Sequence, residues 1–502
     1  MIAFPSLIIH MQKVLFSVKK MDEYDPHPKI SIHLSCNYTV KQRFRQFFSD
    51  MLPVYEWEIS ASLRCLFFFT VLQYINCIVF SQSRFFAGKR LIPYMKIQFS
   101  PPDISEAEIQ AVEEVLRSSW ITTGSRTREL EAGIARLCGT ERAICMNSQT
   151  ACAEMALRLL GIGPGDEVIV PAYTYSATAS VVCHVGAKLV LVDCAKDSLE
   201  MDYAQMSAAI NEHTKVIIPV DLAGIPCNYQ KIYEIVEEKR KYFHPSNPIQ
   251  EAFGRIIISA DAAHSLGASQ RGIPTGSLAD FSSFSFHAVK NLTTAEGGAL
   301  TWRKIPGMDS DQVYKQLQLF CLHGQTIDAF DKNRLGSWAY DIVQPWYKHN
   351  LTDLAAAIGL SQLRRYPEML ARRREIIRRY DKAFCPLGIV SLAHNTPDHQ
   401  SSGHLYICRV PGITQEQRNA IFTEMAGQGV ACNVHYIPLP MLTAYRTMGF
   451  HIEDFPNAYA SFSNEITLPL HTLLTDEEVD YIISVFSDIV RKYCIYDDKK
   501  MG

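Results

Sequence analysis

From Met95 onward, short apolar runs alternate with amphipathic segments along the chain. Seven runs carry the strand signal: RAICM (142–146), DEVIVPAY (166–173), KLVLVD (188–193), KVIIPVD (215–221), RIIISAD (255–261), DFSSFSF (280–286) and GALTW (298–302). Several are rich in β-branched residues, nearly continuous in hydrophobicity and closed by a polar residue. Strands read this way when both faces are buried and their carboxyl ends open on a ligand crevice. The alternation predicts an α/β fold, a mostly parallel sheet covered by helices, with functional residues at strand ends.

Between the fourth and fifth runs, VEEKRKYFHPSNPIQEAFG (236–254) is long and charged, and reads as a solvated helix end and loop. TDLAAAIGLSQLRRYPEMLARRREIIRRYDKAF, from Thr352, is helical in period, with Thr352 as N-cap and Pro367 as a break or kink. Such a helix carries the chain out of a large domain, residues 95–370, into a smaller one, 371–502. The smaller part mixes strand-like HLYICRV (404–410) with the helices QEQRNAIFTEMAGQG and TDEEVDYIISVFSDIVRKY, an α+β pattern.

Residues 1–94 differ from this. They are aromatic-rich and patternless, and include CLFFFTVLQYINCIVF (65–80), which carries Thr70, Gln73 and Asn76. That run is shorter than the roughly 18 to 20 apolar residues of a membrane span, and its position does not suit a cleavable signal. We expect a poorly structured extension, upstream sequence read through from an early start codon, with membrane contact only if residues 65–80 form a real span.

Composition narrows the function. The chain has 502 residues, 47% hydrophobic and 20% charged, with a formal net charge of −3. No cationic surplus points to nucleic acid, so small molecules are the expected partners. The 14 cysteines form no C-x-x-C pair and no Cys/His cluster at ligand spacing, which argues against a metal site or disulfide framework and for reduced thiols in a cytoplasmic protein.

The candidate chemistry starts with FSFHAVKNLTTAEGG (284–298). Lys290 follows apolar and small residues, with no carboxylate nearer than Glu296. Burying an ammonium there is costly unless the amine is neutral or covalently engaged. In NSQTACAEMALRLLGIGPGDEVIVPAY, Ser148 and Thr150 precede a helix, where hydroxyls and free N–H groups bind phosphate; plain N-capping explains the same residues. In RIIISADAAHSLGA, Asp261 ends an apolar run and requires a cation, or pairs with His264 three residues on. An amine for an aldehyde, an anion for a ring nitrogen and donors for a phosphate are together the parts that hold pyridoxal phosphate.

At these residues the sequence resembles the DegT/DnrJ/StrS sugar aminotransferases, which have the pyridoxal phosphate fold type I. The resemblance runs from about Met95 nearly to the C-terminus through WITTGSRTRELE, GIGPGDEVIVPAYTYSATA, ADAAHSLGA, SFSFHAVKNLTTAEGG, NLTDLAAAIGLSQL and NVHYIPLP. It implies a large domain with a seven-stranded sheet and a smaller C-terminal domain. It also implies that Lys290 forms the internal aldimine and Asp261 pairs with the pyridinium nitrogen. Tyr175 would stack on the ring, His264 would lie beside it, and Thr150, Ala151 and Ser285 would sit at the phosphate. Family members are homodimers with active sites at the interface, so Asn350 in HNLTD would reach a neighbouring subunit's cofactor. The expected substrates are an amino donor such as glutamate and a keto-sugar acceptor, commonly nucleotide-linked.

Two departures stand out. Where relatives carry N-Y-R-M-T-D this chain has KHNLTD, leaving the contact to Lys348 or Asn350. Where relatives have P-V-H-L it has Asp221 in PVDLAG, consistent with a different acceptor. His435 and Tyr436 of NVHYIPLP are candidates to touch substrate, or else form a packed strand-edge pair. The rivals are a fold-type I enzyme acting on amino acids and a cofactor-binding regulator that does no catalysis.

Overall fold

The computed structural model describes residues 94–328, 330 and 339–494, all within one compact unit. The predicted extension, apart from Tyr94, and its 65–80 run lie outside the described residues.

All seven apolar runs form strands of one sheet. These are β1 (Ala143–Met146), β2 (Glu167–Pro171), β3 (Lys188–Val192), β4 (Thr214–Ile217), β5 (Ile257–Asp261), β6 (Phe281–Ser285) and β7 (Gly298–Trp302), in spatial order β1-β7-β6-β5-β4-β2-β3. From β6 to β3 every pairing is parallel. β7 alone runs antiparallel, between β1 and β6. The central strands are buried along their whole length, which is why they read as continuous apolar runs rather than alternating ones. Each fully buried Ile or Val here contributes roughly 1.5–3 kcal/mol, so the sheet is a rigid base for the loops at its carboxyl end.

The helices that bear on the site are α1 (Glu106–Arg117), α2 (Ser125–Cys138), α3 (Gln149–Leu159), α4 (Ser176–His184) and α5 (Asp353–Phe384). α5 begins at the predicted cap, where the Thr352 side chain accepts from the Ala355 N–H. It does not break at Pro367 and is 32 residues long in all. Proline inside a helix costs about 3 kcal/mol, and burial on both sides of it offsets that cost. Tyr366 and Leu370 pack with Leu130 and Phe284 in one core, while Ile376, Tyr380 and Phe384 belong to another.

That second core is built on an antiparallel sheet of β8 (Val390–Ser391), β9 (Tyr406–Arg409) and β10 (Glu465–Leu468), covered by α6 (Gln415–Gly427) and α7 (Asp476–Cys494). Ile97, near the start of the described chain, is buried in it and bridges to Val430. The charged 236–254 segment forms a helix end, a single 3₁₀ turn and a short helix. Among the described residues no helix is long and apolar enough to cross a membrane, and no group of His, Cys, Asp or Glu is placed to hold a metal ion.

Candidate active site

The site gathers where the loops after β2, β4, β5 and β6 meet at the carboxyl end of the sheet. Asp261 is the last residue of β5 and is 6% exposed. Its Oδ2 accepts from the Thr178 hydroxyl at 2.7 Å and its Oδ1 from the Ala263 N–H at 3.1 Å. Burial raises its pKa, opposed by those two donors and by the charge of Lys290. Lys290 lies in the loop after β6, its backbone N–H closing a turn onto His287 O at 2.9 Å. Desolvation lowers its amine to about 8 against the pull of Asp261. Lys290 is half-buried, and its charge and that of the buried Asp261 act on each other.

His264 packs beside them, 8% exposed. Its Nδ1 accepts from the Ala223 N–H at 3.2 Å, so Nε2 carries the proton and donates to the Tyr436 hydroxyl at 3.2 Å. Burial, then the charges of Lys290 and His435, hold the imidazole well below its usual range, and it is neutral. Tyr175 occupies the N-cap position of α4. It is 61% exposed, with its ring 5.5 Å from that of Tyr436. One helical turn further on, Thr178 reaches Asp261, so the start of α4 serves both residues.

The helix start after β1 is capped: the Ser148 hydroxyl accepts from the Ala151 N–H at 3.1 Å, with Thr150 half-buried beside it. Gly298 lets this helix approach the sheet. It pairs with Met146 of β1 and Ser285 of β6, and a Cβ there would come 2.5 Å from Gln149 N and 2.7 Å from Phe284 O. The close packing brings Ser285 and the first turn of α3 together.

His435 is turned inward. Its N–H donates to Glu465 Oε2 at 3.1 Å, its Nδ1 pairs with Thr467 Oγ1 at 3.0 Å, and its ring stacks on Phe99. Burial, reinforced by the Lys290 charge, lowers it to about 3. In this chain the Lys348 amine donates to Asn350 Oδ1, and Asn350 Nδ2 donates to Thr123 Oγ1 at 2.6 Å. Asn350 also bridges to Met146, next to the start of α3. Asp221 is fully buried and fully used: it accepts from Cys227 N–H, Tyr229 OH and Ser265 OH at 3.0, 2.9 and 2.7 Å. It ties loops together rather than presenting a carboxylate to an acceptor.

Sequence reasoning missed Thr178, Asn291, Ser402 and His404. Asn291 follows Lys290 directly, its Nδ2 donating to Ser402 O at 2.9 Å and its Oδ1 facing His404 Nδ1 at 3.0 Å. Thr178 and Asn291 stand inside quoted motifs, but His404 opens a stretch that reads simply as a strand. A separate cavity of about 940 Å³, lined by Arg128, Glu131, Arg142 and Tyr314 among others, is lined by none of the site residues.

These residues fit pyridoxal phosphate. Lys290 offers an amine, the Asp261 oxygens keep acceptor capacity beyond two hydrogen bonds, and the turn over Gly298 offers hydroxyls and helix-start N–H groups. Fold and donor set thus define a pyridoxal phosphate enzyme of fold type I. Comparison agrees: residues 102–487 match the DegT/DnrJ/EryC1/StrS aminotransferase family, and the chain belongs to this family of pyridoxal-phosphate-dependent aminotransferases.

The chain is 33% identical over 404 residues, 79% of its length and 97% of the relative's, to the spore coat polysaccharide biosynthesis protein SpsC of Bacillus subtilis (strain 168). Among solved structures it is similar to Spr1654 of Streptococcus pneumoniae, provisionally assigned as a sugar aminotransferase. The PMP form of that protein shows 56% identity, coverage of 79% and 99% of the two chains and a TM-score of 0.77. A PLP form has the same TM-score and coverage at 55% identity. PseC of Helicobacter pylori, an aminotransferase involved in pseudoaminic acid biosynthesis, is 25% identical, with coverage of 79% and 100% and a TM-score of 0.70.

Proposed function

We propose that this protein moves an amino group from glutamate to a keto-sugar, nucleotide-linked, using Lys290 as the amine that joins the cofactor. The observation that carries the reading is the placement of Lys290 in the loop directly after β6, the strand paired in parallel with β5, whose last residue is the buried Asp261, with each charge favouring the other. Two forms of Spr1654, with PLP and with PMP, correspond to the two halves of an amino transfer. The names of SpsC and PseC support a sugar acceptor and a place in polysaccharide or related sugar biosynthesis.

Pyridoxal phosphate supplies an aldehyde that condenses with amines and a ring that accepts electrons. Asp261 would hold a proton on the ring nitrogen, its burial keeping water from competing for that contact. Lys290 would supply the amine that joins the cofactor, and its Nζ, when free, would act as the base that moves a proton at the donor carbon bonded to nitrogen. Its depressed pKa suits it to act as a base near neutral pH. Thr150, Ala151 and Ser285 would hold the phosphate, Tyr175 would cover the ring, and neutral His264 would lie beside it. Tyr436, bonded to His264, would line the substrate side, while His435 stays engaged with Glu465, Thr467 and Phe99.

We further propose a cytoplasmic homodimer. In a single chain Tyr175 is 61% exposed, and Ile109 and Leu116 of α1 are 54% and 56% exposed; a second copy bringing Asn350 or Lys348 toward the cofactor would cover such surface. We also propose a large domain at 95–370 and a small one at 371–502, joined by α5, which enters both cores, and by Ile97, which packs in the second.

Adding glutamate to the holoenzyme tests the reading. The visible absorbance band should move to the near ultraviolet with release of one 2-oxoglutarate per site. An unchanged band, or carbon dioxide in place of 2-oxoglutarate, would refute amino transfer.

A further inference from the structure

The segment Ser401–His404 is bonded to the loops that follow three adjacent strands. The Ser402 N–H donates to Gly224 O at 3.0 Å and the His404 N–H to Ala223 O at 3.1 Å, both in the loop after β4. The Ser402 hydroxyl donates to His264 O, in the loop after β5. Ser402 O accepts from Asn291, in the loop after β6. There is no slack in this seam. Gly224 has φ +85°, and a Cβ on it would lie 2.0 Å from Ser402 Oγ and 2.8 Å from His264 O. From behind, buried Arg373 donates through Nη1 to Gly403 O, His404 O and Leu470 O.

Within the seam the hydrogen bonds fix one arrangement. Asn291 donates through Nδ2 to Ser402 O, so the atom facing His404 Nδ1 is the amide oxygen, which only accepts. His404 therefore carries its proton on Nδ1 and donates it to Asn291. Its ring is 4% exposed and packs 4.3 Å from that of His264. Asn291 is covalently next to Lys290, whose own N–H is held by His287 O. The backbone that carries the amine is thus fixed on one side by a turn and on the other by the His404–Asn291–Ser402 seam.

We propose that His404 and Asn291 are positioning residues that hold Lys290 in register with Asp261 and His264, an inference that rests on the reading of Lys290 as the cofactor's amine. Displacing a reacting group by about 1 Å can cost on the order of 100-fold in rate, so the donor on His404 should matter more than its bulk. His404→Phe keeps a ring and loses the donor; His404→Asn keeps a donor at the Nδ1 position and loses the ring.

The test uses the holoenzyme, with kcat and KM for both substrates and the visible circular dichroism of bound cofactor as readouts. His404→Phe and Asn291→Ala should each lower kcat about tenfold or more with KM within about threefold, the double variant should be no slower than the slower single one, and His404→Asn should stay within about threefold of the parent. The dichroic band per bound cofactor should change in the first two and persist in the third. A parental kcat and band in His404→Phe, or additive losses in the double variant, would overturn the proposal. Where the His404→Phe chain does not fold, Asn291→Ala against His404→Asn decides by the same readouts. If the parent protein has no cofactor band that borohydride fixes to Lys290, the reading of Lys290 fails instead, and the two failures are distinguishable.

Discussion

Thr178 donates its hydroxyl to Asp261 Oδ2 at 2.7 Å, joining the first turn of α4 to the end of β5 across 83 residues of sequence. Thr174 lies behind it, the two hydroxyls 2.9 Å apart. A buried carboxylate that loses a donor keeps its desolvation cost without the compensation.

Thr178→Val should therefore push the Asp261 pKa higher still, weaken its hold on the ring nitrogen's proton and lower kcat about tenfold, with about 1–3 kcal/mol lost in stability. Thr178→Ser should recover most of both. Steady-state kinetics and denaturant unfolding of the two variants check this.

Gly298→Ala should be far more damaging than an ordinary Gly-to-Ala change in a strand. The added Cβ meets backbone at Gln149 N, Ser148 C and Phe284 O, all within 2.7 Å, and backbone cannot rotate away. The start of α3 must move off Ser285, so cofactor affinity should fall by at least about tenfold, given how closely a phosphate site depends on its helix N–H groups. Equilibrium dialysis against pyridoxal phosphate measures this directly.

Glu465 makes stability fall with rising pH. Burial pushes its carboxyl up to about 8, against the donors Thr467 and His435. Between the ordinary value of 4.5 and about 8 the folded chain keeps a proton that the unfolded chain has lost, so the contribution is present below that window and is lost through it. Asp221, raised to about 6 mainly by burial, acts in the same direction. Glu465→Gln should flatten the decline between pH 4.5 and about 8 by a few kcal/mol at most, as read from urea unfolding at a series of pH values. A decline as steep as that of the parent would contradict this.

How much of this was legible in the sequence follows the range of the interactions. The strands of the large sheet are local statements about hydrophobicity, and all seven lie where their runs placed them. Asp261 and Lys290 were legible because each is a costly residue in an apolar setting. Pro367, read as a break or kink, does not end the helix, since its cost is local while the packing that absorbs it lies on both flanks of α5. Asn291 and His404 are 113 residues apart, and nothing periodic or compositional links them. The same holds for Asp221, whose partners Tyr229 and Ser265 make it a structural tie between loops.

The central claim is that the cofactor is carried by one particular amine. Borohydride reduction of the holoenzyme followed by peptide mass mapping tests it most directly. The account predicts the reduced cofactor's mass on the peptide containing Lys290, and no visible band and no label in Lys290→Ala. A label on another lysine, or a Lys290→Ala protein that keeps the visible band, would contradict it.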